Sequence, residues 1–230
     1  MAIDSVVAFV ASPEKMLAVT SSLVAAILLL LAYRRYEKPS LLYAHVFLVL
    51  SPLFYFALSI NCSLGVLKGF LSWCTALFAK FIIYGVPPLL ALSIIGGYLI
   101  LPRLYRVGAS ELESKTFRSL CKQTGIKANV FLRKSGIPEA YTIGKDVFVT
   151  VGLFDILSKK ELEAVLLHEI YHVKSGASNR KWGMFIAKTF SPVAWFSSSS
   201  TEREEQEADA FASRIQKTTR FVDQARTKLS

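Results

Sequence analysis

The sequence predicts an α+β chain: N-terminal transmembrane helices followed by a mainly helical soluble domain with a small β-sheet. Three observations lead there. Residues 1–102 hold six basic and three acidic side chains, whereas residues 103–230 hold 21 and 14. The first part contains three charge-free stretches long enough to cross a hydrocarbon core about 30 Å thick. The second part alternates helix-capping signals with short runs of β-branched and aromatic residues. The expected division is a membrane domain over 1–102 and one soluble domain over 103–230, a size that buries a core without disulfides.

The spans come first in the chain. Met16 to Tyr33 is charge-free and is flanked by Lys15 and by Arg34, Arg35 and Lys38, giving a first span over about 16–33. No basic segment opens the chain and no small-residue cleavage site precedes that cluster, so the segment reads as an anchor rather than a removable signal. A second span covers about 41–60 and contains His45, an intramembrane ionisable group that a neighbouring helix can satisfy. Phe81 to Pro102 supplies a third span over about 81–102, interrupted by Pro87 and Pro88, where a kink is expected. Gly69–Ala79 is apolar but short, and either extends the third helix or lies at the interface. Three basic residues follow the first span, Lys68 lies in the loop after the second with Lys80 at the edge of the third, and Arg103 and Arg106 follow the third. The positive-inside rule then puts the N-terminus outside and residues 103 onward in the cytoplasm of a multi-pass cell-membrane protein.

The soluble elements follow. Ser110 and Glu113 have capping-box spacing, which opens a helix to Thr124 that Gly125 closes. Asn129–Arg133 reads as a strand. Glu139–Ile143 and Val147–Val151 flank Gly144-Lys145-Asp146 and read as a hairpin. Ser158-Lys159-Lys160-Glu161 is a second capping box, opening a helix through Val173 that stops at Gly176. Trp182–Phe196 is apolar but broken by Lys188 and Pro192, and serves either as a core helix or as a segment dipping into the bilayer surface. Thr201-Glu202-Arg203-Glu204 is a third capping box, opening a helix to about Ala225.

Composition narrows the function classes. A net charge of +10 without basic–aromatic runs or a nucleic-acid motif fits anionic lipid head groups rather than nucleic acid. Cys62, Cys74 and Cys121 form no metal-binding pair. Cys62 and Cys74 stand where pairing on the outer side is possible, and nothing requires it.

Chemistry concentrates in His168-Glu169-Ile170-Tyr171-His172. Four residues make just over one helical turn, so both imidazoles leave one face and can share one tetrahedral Zn²⁺. Glu169, beside the first of them, can reach the open position as general base. No third histidine exists in residues 103–230, so a carboxylate is required. Glu202, Glu204, Glu205 and Glu207 are available. The apolar face Ala208, Phe211, Ala212, Ile215 extends back to Glu204 and Glu205, and spacing does not choose between them. Asp209, one turn after Glu205, can accept the free N–H of a ligating histidine.

In their order these residues resemble the HtpX / CAAX-prenyl-protease family of integral-membrane zinc endopeptidases. The likeness runs from Pro138-Glu139-Ala140-Tyr141-Thr142 with Gly144, through Val147–Leu153 and Lys160–Val165, into His168–His172 and Glu205-Gln206-Glu207-Ala208-Asp209. It implies a zincin-type domain with one zinc per chain, Glu205 as third ligand and Asp209 as the partner of a zinc-binding histidine. It also implies that Glu139, Ala140 and Tyr141 belong to an edge strand to which an extended protein or peptide substrate adds. Phe190–Trp195 is similar to a segment of the related antibiotic-sensor membrane proteases. Family members often carry Asn where Glu139 stands. No later histidine is available to stabilise an oxyanion, leaving Tyr141, Tyr171, Arg214 and Arg220 unranked for that role. The resemblance implies quality-control proteolysis of membrane or misfolded proteins. A regulatory protease acting on one partner and a non-catalytic zinc-stabilised membrane scaffold are the competing functions. Substrate, specificity and oligomeric state are not legible.

Overall fold

The structure is a computed structural model, and it describes residues 2–63, 77, 79–197 and 201–229. The chain divides into two compact units, Met1–Ile95 with Trp182–Ser198, and Gly96–Lys181 with Ser199–Ser230. Among the described residues the architecture is α+β: three helices long and apolar enough to cross a membrane, and a mainly helical remainder around one four-stranded sheet.

The helices of the first unit follow from the charge-free stretches. After α1 (Ala2–Val10) come α2 (Pro13–Tyr36), α3 (Pro39–Ser63) and α4 (Phe81–Arg106). Glu37, in the left-handed conformation at φ 51°, ends α2 and lets Pro39 start α3 at once. Leu30 and Tyr33 of α2 pack with Leu42 and Val46 of α3, and Met184, Ile186 and Ala187 complete that cluster. His45 is fully buried: its Nδ1–H donates to the Ala26 carbonyl at 2.8 Å, and its Nε2 accepts from the Ser191 hydroxyl at 2.9 Å. Both ring nitrogens are thus satisfied, as an imidazole in an apolar setting requires.

Within α4 the prolines are accommodated by widened turns. Phe81–Gly85 is π-helical and ends with the Val86 N–H bonding the Phe81 carbonyl, immediately before Pro87 and Pro88, and Gly96–Ile100 is a second such turn. A widened turn is a known way to absorb groups that a proline cannot pair. The alternatives for Gly69–Ala79 and the pairing of Cys62 with Cys74 lie outside the described residues.

In the second unit the sheet has order β1-β2-β4-β3, with β1 (Ala109–Glu111), β2 (Asn129–Arg133), β3 (Ala140–Ile143) and β4 (Asp146–Thr150). Strand β4 is buried along its whole length and pairs parallel with β2 and antiparallel with β3. Asp146 fixes the register end: its carboxylate receives Arg106 at 2.6 and 2.9 Å and the Asn129 amide at 2.9 Å. Two expectations are corrected here. Residues 109–111 form a strand on β2, and helix α5 (Lys115–Thr124) begins after Ser114, whose hydroxyl accepts from the Phe117 N–H. The helix starts later than expected because β2 draws Ser110 and Glu111 into its ladder. Residues 151–156, which carried no helix signal, form the short helix α6 (Val151–Ile156).

Helix α7 (Lys159–Ser175) has the expected capping box and ends at Gly176, φ 68°. Helix α8 (Ala177–Phe190) and a 3-10 turn (Pro192–Phe196) follow. The final segment holds two helices rather than one: α9 (Thr201–Gln216) and α10 (Arg220–Leu229). Lys217 turns left-handed at φ 58°, and the Thr218 hydroxyl accepts from the Arg220 N–H. Two successive β-branched threonines favour that break over a continuing helix.

Candidate metal centre

The rotation of α7 is set by its core face. Leu166, Leu167 and Ile170 are buried in the main apolar cluster, which turns His168, Glu169 and His172 toward β3 and α9. His168 and His172, one turn apart, bring their Nε2 atoms to 3.1 Å. From α9, Glu205 Oε2 stands 3.0 Å from His168 Nε2 and 3.6 Å from His172 Nε2. The ligand atoms of these three residues all lie within 4.8 Å of one another. Bonds of about 2.0–2.1 Å in a tetrahedral zinc site separate neighbouring donors by about 3.3 Å, and the three distances bracket that value. Two imidazole nitrogens and one carboxylate oxygen converging this closely suit a divalent cation.

Orientation comes from behind. His168 Nδ1–H donates to Asp209 Oδ1 at 2.8 Å, which leaves Nε2 with its lone pair directed inward. The second Asp209 oxygen pairs with Arg226 of α10. Glu169 is buried, and the Thr142 hydroxyl on β3 donates to its Oε2 at 2.7 Å. A cleft of about 340 Å³ opens beside these groups, lined by Ala140, Val165, His168, Glu169, Glu205 and Arg226 among others.

The three strand candidates are placed differently. Ala140 lines the cleft. Tyr141 lies on the opposite face, stacked on Phe148 at 5.2 Å, with its hydroxyl accepting from Arg133 at 2.8 Å. The Glu139 N–H donates to Thr150 Oγ1 and its carbonyl accepts from the Thr150 N–H. Strand β3 ends the sheet. Antiparallel pairs alternate between bonded and open positions. Glu139 and Tyr141 therefore turn their main chain toward β4, and Ala140 and Thr142 turn theirs outward. The outward Thr142 carbonyl already accepts from Ser178 Oγ at 2.9 Å.

Of the unranked oxyanion candidates, Tyr171 donates its hydroxyl to Glu207 at 2.7 Å. Burial first, and then that bond, push its pKa up to about 12. The Glu207 carboxyl is correspondingly held low by Tyr171 and then Arg203. Neither Arg214 nor Arg220 lines the cleft, whereas Arg226 does.

Thr142, Arg226 and Glu204 are residues near the centre to which sequence reasoning gave no role there, Glu204 standing only as an alternative ligand. Alternation along β3 from Ala140 was the available signal for Thr142. The other two depend on how α9 and α10 fold back on α7.

Comparisons with known proteins bear on the family of the chain. A model of the family described as Peptidase family M48 matches residues 110–227. The chain is 32% identical over 115 residues to a "Protease HtpX homolog" from a Sulfurihydrogenibium species, covering 46% of this chain and 36% of that protein. It is 31% identical over 141 residues to "Protease HtpX homolog 2" of Methanosarcina acetivorans, covering 52% and 47%. With "Protease HtpX homolog 2" of Methanosarcina mazei it shares 41% identity over 76 residues, covering 30% and 24%. In each case the chain spans less than half of the relative's length.

Proposed function

This chain belongs to peptidase family M48, and from that premise we propose that it is a membrane-anchored zinc endopeptidase. The observation that carries the reading is the convergence of His168 Nε2, His172 Nε2 and Glu205 Oε2 beside the buried carboxylate of Glu169. His168, His172 and Glu205 hold one zinc, and Asp209 fixes the tautomer of His168. Bound zinc supplies a Lewis acid that acidifies water and polarises a carbonyl.

The chain's own groups do the rest. Glu169 has one carboxylate oxygen engaged by Thr142, so the other, Oε1, takes a proton from the attacking water and returns it to the leaving amine. An extended peptide pairs with the outward main chain of Ala140 on β3. One of its side chains enters the cleft, whose walls include Val165, Val222, Ala225 and Leu229. Pairing through main-chain groups accepts unfolded segments of varied sequence, with only the side chain that enters the cleft selected. That tolerance supports quality-control cleavage of membrane or misfolded proteins as the role.

The membrane domain is assigned to 1–102 and the peptidase domain to 103–230, in a multi-pass protein of the cell membrane. The cluster Arg34, Arg35 and Lys38 after the first span, with Arg103 and Arg106 after the third, supports a cytoplasmic peptidase domain.

Zinc content and casein cleavage, measured on detergent-purified protein, test the reading. Wild type should carry one zinc and cleave. Glu205→Ala should lose both, and Glu169→Gln should keep zinc while losing cleavage by about 10²–10⁴-fold. A wild type that takes up no zinc after reconstitution would point to a scaffold instead. Cleavage by Glu169→Gln at the parent rate would remove Glu169 as the base.

A further inference from the structure

A histidine that gives Nε2 to a cation keeps its other proton on Nδ1, and that N–H needs an acceptor. For His168 the acceptor is Asp209. His172 is more deeply buried, and its Nδ1 lacks any hydrogen bond within normal geometry. A buried N–H without a partner is costly, so what faces it matters. Facing it is Glu204 Oε1, at 3.4 Å.

Glu204 is unusual for a glutamate in being only 9% exposed. Its charge is balanced: Arg180 Nη2 lies 2.7 Å from the same oxygen, and Ser175 Oγ lies 3.4 Å from it. Arg180 is itself mostly covered, and it sits on the helix that follows the metal helix after Gly176. The carboxylate is therefore held on the Nδ1 side of His172. Glu205, its neighbour in sequence, faces the Nε2 side of both rings.

We propose that Glu204 is a positioning residue of the metal centre, accepting the Nδ1–H of His172 as Asp209 accepts that of His168. The proposal rests on the zinc reading above and divides the labour of α9 among three carboxylates. Glu205 binds the metal, and Glu204 and Asp209 each orient one imidazole. Each orienting carboxylate has its own guanidinium, Arg180 for Glu204 and Arg226 for Asp209. A small shortening of the 3.4 Å separation completes the second of these chains.

The test uses the full chain in detergent. Zinc affinity is measured by chelator competition for wild type, Glu204→Ala, Glu204→Gln and Glu205→Ala. The visible spectrum of the cobalt-substituted protein and the melting of the chelator-treated protein are followed alongside. Glu204→Ala should weaken zinc binding by about 10–100-fold, the usual consequence of losing such a partner. Glu204→Gln, which keeps an acceptor oxygen, should fall between it and wild type. Both should keep the cobalt band positions of wild type, because the ligand set is unchanged.

Wild-type zinc affinity in Glu204→Ala overturns the proposal. So does a lower melting temperature of the metal-free variant with affinity unchanged, which would make Glu204 a structural ion-pair partner only. Altered cobalt bands in Glu204→Ala would make it a ligand, and overturn the positioning role. Full zinc retention by Glu205→Ala, or no zinc in wild type, fails the underlying zinc reading itself and the proposal with it.

Discussion

Thr142 on the edge strand donates its hydroxyl to the Glu169 carboxylate across 2.7 Å, and to the Glu169 carbonyl at 3.1 Å. One side chain thus ties β3 to the turn of α7 that carries His168 and His172. Thr142→Val keeps the shape and removes the donor. A hydrogen bond to a charged group contributes about 1.5 kcal/mol or more, so kcat should fall by about tenfold. KM and zinc content should stay at the parent values. A kcat within twofold of wild type would show that Glu169 needs no support from the strand.

Ala140 is the position on β3 where an outward main-chain N–H adjoins the cleft. Ala140→Pro removes that donor, and an edge strand tolerates proline better than a central one does. KM for an extended peptide should rise by roughly tenfold, the worth of about one hydrogen bond. A thermal melt in detergent separates this from unfolding. An unchanged KM in a folded variant would exclude β3 as the substrate's partner strand.

Glu161 closes the capping box of α7 and also receives Lys228 at 2.7 Å. Its carboxyl is held below its ordinary value, first by the Lys228 bond and then by the Ser158 N–H. The folded state therefore favours the charged form, and the unfolded chain binds more protons between the two pKa values. Stability from this group is complete above the unfolded value, about 4.3, and is lost as pH falls through the lower folded one. The melting temperature of wild type should drop across that acid window, and Glu161→Gln should flatten the drop. Superimposable acid profiles would assign the sensitivity to another group.

Gly152 follows β4 where the chain turns into α6, with its N–H on the Ser135 carbonyl. A Cβ there would press on the Gly136 carbonyl, main chain that has little freedom to retreat. Gly152→Ala should cost about 1–3 kcal/mol, as overpacking does, read as a lower melting temperature. A melt equal to wild type would mean that the 135–137 segment moves freely.

Local signals carried much of this fold. The capping box at Ser158, the glycine at 176 and the apolar face of α7 are all short-range features, and they define the helix that carries His168, Glu169 and His172. The Gly144-Lys145 turn likewise places β3 beside β4 in register. A local signal was overridden at Ser110: it reads as a helix cap, but pairing with β2 takes residues 109–111 into the sheet and Ser114 caps the helix instead. Tertiary relationships were not legible. Glu204 and Glu205 lie equally near the apolar edge of α9, and the packing angle of that helix on α7 separates their positions. Arg226 reaches Asp209 only because Lys217 breaks the last helix and folds α10 back.

His45 has its two partners at very different distances along the chain, Ala26 at 19 residues and Ser191 at 146. Synthesis makes that a matter of time. At about 5–20 residues per second, the Ala26 carbonyl is waiting when His45 emerges, but Ser191 follows roughly 7–30 s later. Helix α3 therefore enters its apolar surroundings with one ring nitrogen unanswered, and the hydroxyl that answers it arrives after the helix carrying His168 and His172 has been made. Association of the segment beyond Lys181 with these helices is then a late, separate event of assembly, and nascent chains stopped before Ser191 would populate the state that precedes it.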